Sequence, residues 1–334
     1  MREIGSEFWL QQSPAPSCCD DNEVCLLSGR TALKFIIDDI CSNQKFRKVL
    51  LPSYCCESMV EPFAVSGIDV QFYQVHTDHL DYPYENDADA ILLIDFFGYT
   101  NHENAEIARS EERLGKIVIY DATHKIDGNS TVWNYADYSF CSYRKWFYCN
   151  FARVIKKSGI FPRIRQKSKE SYIALRDEAA REKEMYFANL TAEKERFLSL
   201  FSKAEQMLEE DYIGFAGIPV AFDLYEIVSK HRENAAYLIE GLKEIPELHL
   251  WRDTLNDDDT PMFVPILVNP LIRNDLRNEL KKEKIYCPIH WPKSTYHGKC
   301  NGLYDAELSL VCDQRYNIVD MERMIHVIKG YFNR

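Results

Sequence analysis

Four short segments of this chain carry residue types whose chemistry and position could build a reactive site. Ser28-Gly29-Arg30-Thr31-Ala32 opens a helix-like stretch. Glycine lets the backbone approach a ligand, Ser or Thr can cap the helix, and the first N–H groups then form an anion site. Plain helix capping explains the same residues. Asp121-Ala122-Thr123-His124 follows the apolar run KIVIY. A carboxylate at a strand end can hold a proton on a ligand nitrogen, and His124 falls on the same side if the turn becomes helical. A simple N-cap is the bland reading of Asp121. Ser142-Tyr143-Arg144-Lys145-Trp146 follows YSFC. A lysine beside aromatics can be partly desolvated, which lowers its pKa and favours Schiff-base formation; a surface lysine is the alternative. The fourth, Ile289-His290-Trp291-Pro292 with Cys312-Asp313-Gln314-Arg315-Tyr316 beyond it, could shape a substrate pocket, or could be loop packing and a buried ion pair.

The elements that must position these segments are legible as hydrophobic runs. Lys48–Pro52, Val70–Val75, Ala90–Phe96, Lys116–Tyr120 and Tyr138–Tyr143 read as short strands. Thr31–Cys41 and Ser58–Ser66 between them read as helices, with Pro62 placed in a first turn. Near-continuous apolar strands separated by helices predict an α/β fold with a mostly parallel sheet covered on both faces. In such a sheet, ligands bind outside the carboxyl ends of the strands. From about 166 to 211 the composition turns to Lys, Glu, Arg, Ala and Leu, which predicts one or two long helices whose charges form a solvated face. Mixed character returns after Phe215. Leu248–Trp251 and Met262–Val268 read as strands, and Pro270–Lys284 and Asp320–Phe332 as helices. The division expected is a large domain over 1–210 and a smaller α+β C-terminal domain over 211–334.

Composition removes several function classes. The 334 residues are 46% hydrophobic and 28% charged, enough apolar material for a sizeable core. A net charge of −12 argues against non-specific nucleic-acid binding. The 11 Cys are odd in number, include adjacent pairs and form no CxxC, so a reduced cytoplasmic setting is expected rather than a disulfide framework. No basic-then-apolar leader and no long uncharged apolar stretch is seen, so neither a signal peptide nor a membrane span is expected. No metal site is expected either. The 9 His contain no HxH or HExxH, and His76 and His79 fall in a polar, turn-like stretch that a surface loop explains.

Taken in order, the segments form a stronger pattern than any one alone. A helix-start anion site, a strand-end Asp and a strand-end Lys 24 residues later are what pyridoxal 5'-phosphate needs in an aspartate-aminotransferase-like fold. The phosphate requires N–H groups and hydroxyls, the pyridine nitrogen a carboxylate, and the aldehyde an amine.

At these residues the chain resembles the DegT/DnrJ/EryC1/StrS family of pyridoxal-phosphate sugar aminotransferases, which have the fold type I architecture. The segments that carry the resemblance are SGRTAL (28–33), VLLPSYCCESMVEPF (49–63), IDFFGYT (94–100), YDATH (120–124), SYRKW (142–146), IYCPIHWP (285–292) and SLVCDQRY (309–316). The resemblance implies Lys145 as the lysine that bonds the coenzyme and moves the substrate proton. It implies Asp121 at the pyridine N–H and His124 by the ring or its phenolic oxygen. Gly29, Arg30, Thr31 and Ser142 would hold the phosphate. Tyr54, Cys55 or Cys56 would lie near the ring face, with Tyr54 preferred. His290, Trp291 and Arg315 would contact substrate. A homodimer, glutamate as amino donor and a nucleotide-linked keto sugar as acceptor are implied in the same way. One departure is plain: the family's Gly-rich turn after the lysine is here Trp146-Phe147-Tyr148-Cys149-Asn150-Phe151-Ala152-Arg153. That motivates two alternatives, a non-sugar acceptor and a scaffold protein with a decayed site. Dehydration, which replaces the lysine by His in some relatives, is disfavoured by Lys145.

Overall fold

The structure is a computed structural model, and it describes residues 2–9, 15–16, 20–126, 130–161, 169–189, 193–210, 220–293, 296 and 302–334. By contacts the chain forms two compact units. One comprises Met1–Ser6, Phe46–Ala136 and Asp223–Arg334; the other comprises Glu7–Lys45 and Asp137–Phe222. This grouping differs from a division at 210/211, and that boundary abuts residues 211–219, which lie outside the described residues.

In the first unit, the strands Lys48–Pro52, Asp69–Val75, Ala90–Ile94 and Ile117–Asp121 pair in parallel. The short strand Leu80–Asp81 adds antiparallel at one edge. Ala90–Ile94 and Ile117–Asp121 are buried at every position. Burial of both faces is why these strands read as unbroken apolar runs instead of alternating ones. The helices Glu57–Val65 and His102–Arg113 lie between the strands along the chain. Pro62 is the sixth residue of its helix, not part of the first turn as expected. The C-terminal part adds three antiparallel strands, Leu248–Leu250, Phe263–Val268 and Glu307–Val311. The helices Leu224–Leu242, Pro270–Lys282 and Ile318–Phe332 cover them, and Leu238, Ile266, Leu276, Leu308, Met324 and Ile328 share their core. The α+β character expected of this region is therefore observed.

The second unit holds the helix Gly29–Asn43 and the antiparallel strands Glu23–Leu26, Ala152–Lys156 and Tyr138–Ser142, with Ala152–Lys156 in the middle. Two long helices, Glu170–Phe187 and Lys194–Glu210, occupy the Lys/Glu-rich region. Their charges are not all solvated. Arg176 is 2% exposed and Lys183 is wholly buried. Lys183 donates to the Glu7 carbonyl and lies over the Trp9 ring at 4.7 Å. A cation held over aromatic faces and given hydrogen bonds replaces its water shell, which lets it be buried.

Candidate functional site

The second unit carries the phosphate and lysine candidates. Ser28 caps the helix Gly29–Asn43: its Oγ accepts the Thr31 amide at 3.2 Å and lies 2.9 Å from Thr31 Oγ1. Gly29 sits against the end of the strand Tyr138–Ser142, since a Cβ built on it would lie 3.4 Å from Ser142 Cβ and 3.9 Å from Ser142 Oγ. Gly29, Thr31 and Ser142 are thus brought together at a helix N-terminus, a place that favours anions.

The strand ends at Ser142 and passes into a single 3-10 turn, Tyr143–Lys145. That turn carries Lys145 outward, and it is exposed rather than desolvated by the neighbouring aromatics. The aromatics turn inward instead. Trp146, Phe147, Cys149 and Phe151 are all buried, and the Tyr148 hydroxyl donates to Asp177 Oδ1 at 2.6 Å. The bulky residues that replace a Gly-rich turn therefore pack in the interior of this unit. Arg144 and Arg176 both bind the Glu205 carboxylate, Arg176 at 3.1 Å. Arg176 Nε also donates to Asn150 Oδ1 at 2.7 Å. Burial pushes the Glu205 carboxyl up, but Arg144, Arg176 and Lys145 outweigh it and hold the group below its usual range. These ion pairs and hydrogen bonds tie the segment around Lys145 to both long helices.

The first unit carries the carboxylate and histidine candidates. Asp121 ends the strand Ile117–Asp121, is largely buried, and accepts the Thr123 amide at 2.8 Å. The segment after it is one tight turn closed from the Lys125 amide to the Ala122 carbonyl at 3.0 Å, not the start of a helix. His124 Nδ1 accepts the Phe97 amide at 3.0 Å. The proton of neutral His124 must then sit on Nε2, which makes Nε2 a donor.

Phe97 itself has a positive φ of 57°. Its left-handed backbone is held from two sides: its amide donates to His124, and its carbonyl accepts the Met262 amide at 2.8 Å. Gly98 follows with φ 86°, and a Cβ there would lie 1.9 Å from the Thr260 carbonyl oxygen and 2.6 Å from that of His124. Only glycine fits. Gly98→Ala is expected to cost at least about 2 kcal/mol, from left-handed strain and forced backbone movement. Urea unfolding of the variant measures this, and an unchanged midpoint would refute the rigid-turn account.

Around this turn stands an aromatic cluster. Phe97, His124 and Trp291 stack nearly parallel, with His124 centred 5.6 Å from Phe97 and 5.7 Å from Trp291. His290 crosses them edge-on, 6.1 Å from His124. Tyr54 is wholly buried among Phe96, Trp251, Trp291 and Tyr304, and its hydroxyl donates to the His290 carbonyl. Cys55 beside it is a thiol at neutral pH, because burial, then Cys56 and the Asp121 carboxylate, push it far up. Cys56 precedes the helix Glu57–Val65, with its Sγ 2.9 Å from Ser58 Oγ.

No family model matches the chain, and no curated protein matches it. Solved structures do. Helicobacter pylori PseC, an aminotransferase involved in the biosynthesis of pseudoaminic acid, is 13% identical, with a TM-score of 0.70 over 99% of this chain and 100% of that one. A DegT DnrJ EryC1 StrS aminotransferase from Brucella abortus is 16% identical, with a TM-score of 0.64 over 93% and 86%. DesI, solved in the presence of its TDP-sugar product, is 13% identical, with a TM-score of 0.63 over 93% and 81%. The chain has their fold. The aminotransferase architecture expected from the ordered motifs is therefore observed.

Within this aminotransferase fold, Arg315 follows one of the two sequence readings. Its Nε and one terminal nitrogen bind the Asp313 carboxylate at 2.8 and 2.7 Å, and the other terminal nitrogen donates to the Ser6 carbonyl at 3.0 Å. It is a buried ion pair that ties the chain start to the C-terminal part. His290 and Trp291 are half-buried and belong to the aromatic cluster.

The sequence reading missed two supporting groups. Lys125 is wholly buried and donates to Thr100 Oγ1 at 2.7 Å and to the Asp258 carbonyl, which anchors the His124 turn. Glu307, also wholly buried, accepts the His290 amide at 2.7 Å and the Ser309 hydroxyl, whose oxygen lies 2.8 Å from His290 Nδ1. A lysine next to YDATH and a glutamate opening a C-terminal strand were the only signals, and neither sets burial by itself.

Proposed function

We propose that this chain is a pyridoxal-phosphate-dependent aminotransferase. It would move an amino group, with glutamate as donor, to a keto group on a nucleotide-linked sugar for polysaccharide or glycoconjugate biosynthesis. One observation carries the reading. Across nearly the whole chain the fold is that of sugar aminotransferases, and Asp121 and Lys145 stand at the ends of two strands that follow one another in sequence.

The residues present fit the coenzyme by their donor chemistry. Ser28, Gly29, Arg30, Thr31 and Ser142 supply amides, hydroxyls and a cation for the phosphate. Bound pyridoxal phosphate supplies an electron sink that acidifies the C–H beside the transferred nitrogen. The Lys145 amine would take that proton and return it at the neighbouring position. Asp121 would keep a proton on the pyridine nitrogen. His124, with its proton on Nε2, would donate toward the phenolic oxygen. Tyr54 would form part of the wall behind the ring, and His290 and Trp291 would contact the acceptor. A homodimer in the cytoplasm, and a coenzyme domain over 1–210 with a smaller 211–334 domain, belong to the same reading. With Trp146, Phe147 and Phe151 packed inward, the decayed-scaffold alternative loses its motive.

The test is the visible spectrum of the purified protein with pyridoxal phosphate, before and after glutamate. A coenzyme band that glutamate bleaches, and that a nucleotide-linked keto sugar restores, is the expected result. No band would overturn the coenzyme assignment. Restoration only by non-sugar keto acids would overturn the sugar acceptor.

A further inference from the structure

We propose that His76, His79 and Asp81 form a binding site for a divalent transition ion of the zinc class. They lie at the tip of the hairpin that joins Asp69–Val75 to Leu80–Asp81, where Gln74 pairs with Asp81 and Val75 with Leu80. The His76 amide donates to the His79 carbonyl at 3.0 Å, so the two histidines face each other across Thr77–Asp78. Their rings lie parallel, 4.2 Å apart.

Both Nε2 atoms aim at Asp81, at 2.9 Å for His76 and 3.5 Å for His79. One ligand atom from each of the three residues falls within 4.8 Å of the others. Tetrahedral zinc with bonds of about 2.0–2.2 Å needs ligand atoms roughly 3.4 Å apart, so small side-chain rotations close the site. Two imidazoles and one carboxylate suit zinc, cobalt or nickel, with water completing the shell.

A second feature points the same way. His79 Nδ1 lies 2.8 Å from Asp78 Oδ1. A carboxylate on the far nitrogen is the device that orients metal-bound histidines and makes them more basic. Asp78 thus directs His79 Nε2 at the ion. Glu103, which accepts the Leu80 amide at 2.8 Å, adds negative charge beside the turn. An ion can bind only where both Nε2 atoms are unprotonated, so affinity rises with pH. His79 is about half exposed, Asp81 more so, and His76 is partly exposed, so an ion can reach the site from solvent.

This site does not depend on the aminotransferase reading, and its test needs no activity. The reduced full-length protein is titrated with Co2+ followed by absorption, and with Zn2+ by calorimetry. Cobalt at this site gives weak ligand-field bands without the strong near-ultraviolet band of a thiolate, which separates it from binding at cysteine. The His76→Ala/His79→Ala variant is expected to lose one equivalent of metal. Asp78→Ala is expected to keep the stoichiometry but weaken binding about 10- to 100-fold. Equal uptake by wild type and the double histidine variant, or bands of thiolate type only, would overturn the proposal.

Discussion

Lys145→Ala is expected to lower the proposed transamination by up to about 10,000-fold while leaving the fold intact. The magnitude is the upper end of what one proton-transferring side chain contributes, roughly 5 kcal/mol of barrier. The fold should survive because Lys145 is exposed, whereas Trp146, Phe147 and Phe151 carry the packing of that segment. Lys145→Arg should be as inactive as the alanine variant. It keeps the charge beside Glu205 but offers no amine that can lose its proton. Far-ultraviolet circular dichroism and a thermal melt establish folding. The coenzyme spectrum and single-turnover rates with glutamate then read the loss. A folded Lys145→Ala protein that keeps both the band and the turnover would move the amine role to another lysine.

Glu307→Gln is expected to abolish a pH dependence of stability worth up to roughly 5 kcal/mol. Burial pushes the Glu307 carboxyl from 4.5 to about 8, against the opposing pull of Ser309, the His290 amide, Arg273 and Arg277. Below 4.5 the group is protonated in both states and makes no difference. As pH rises, the unfolded chain ionises first and the folded protein resists until about 8. Stability therefore falls across the interval from 4.5 to about 8 and levels off above it. Glutamine imitates the protonated acid, accepting the His290 amide and donating to Ser309, so its unfolding curve should lack that slope. Urea unfolding at pH 5, 6.5 and 8.5 for both proteins checks this; parallel slopes would refute it. The same titration bears on the site. When Glu307 is ionised, Ser309 donates to it, and Ser309 Oγ must accept from His290 Nδ1, leaving Nε2 as an acceptor. When Glu307 is protonated, the chain of donors can reverse. Nitrogen-15 NMR of His290 across pH 8 follows that reversal.

The sequence by itself determined the layout of the chain. Lys48–Pro52 was readable residue for residue, and Asp69–Val75 and Ala90–Ile94 nearly so. Strands buried on both faces must be apolar throughout, whatever packs on them. The Ser28 cap, Asp121 at a strand end and Lys145 just past another were legible for a related reason, since caps and strand ends are local signals. Where a charged or aromatic side chain ends up is not local. Arg176 and Lys183 lie on a helix that reads as solvated, yet their partners come from far along the chain, 29 residues away for Glu205 and 176 for the Glu7 carbonyl. Tyr54 reaches the His290 carbonyl across 236 residues, and Arg315 reaches Ser6 across 309. His76 and His79 became opposed donors only because a hairpin folded them over Asp81. A buried ion or a convergent ligand set is decided by which distant groups replace water around it, and only the tertiary structure supplies those groups.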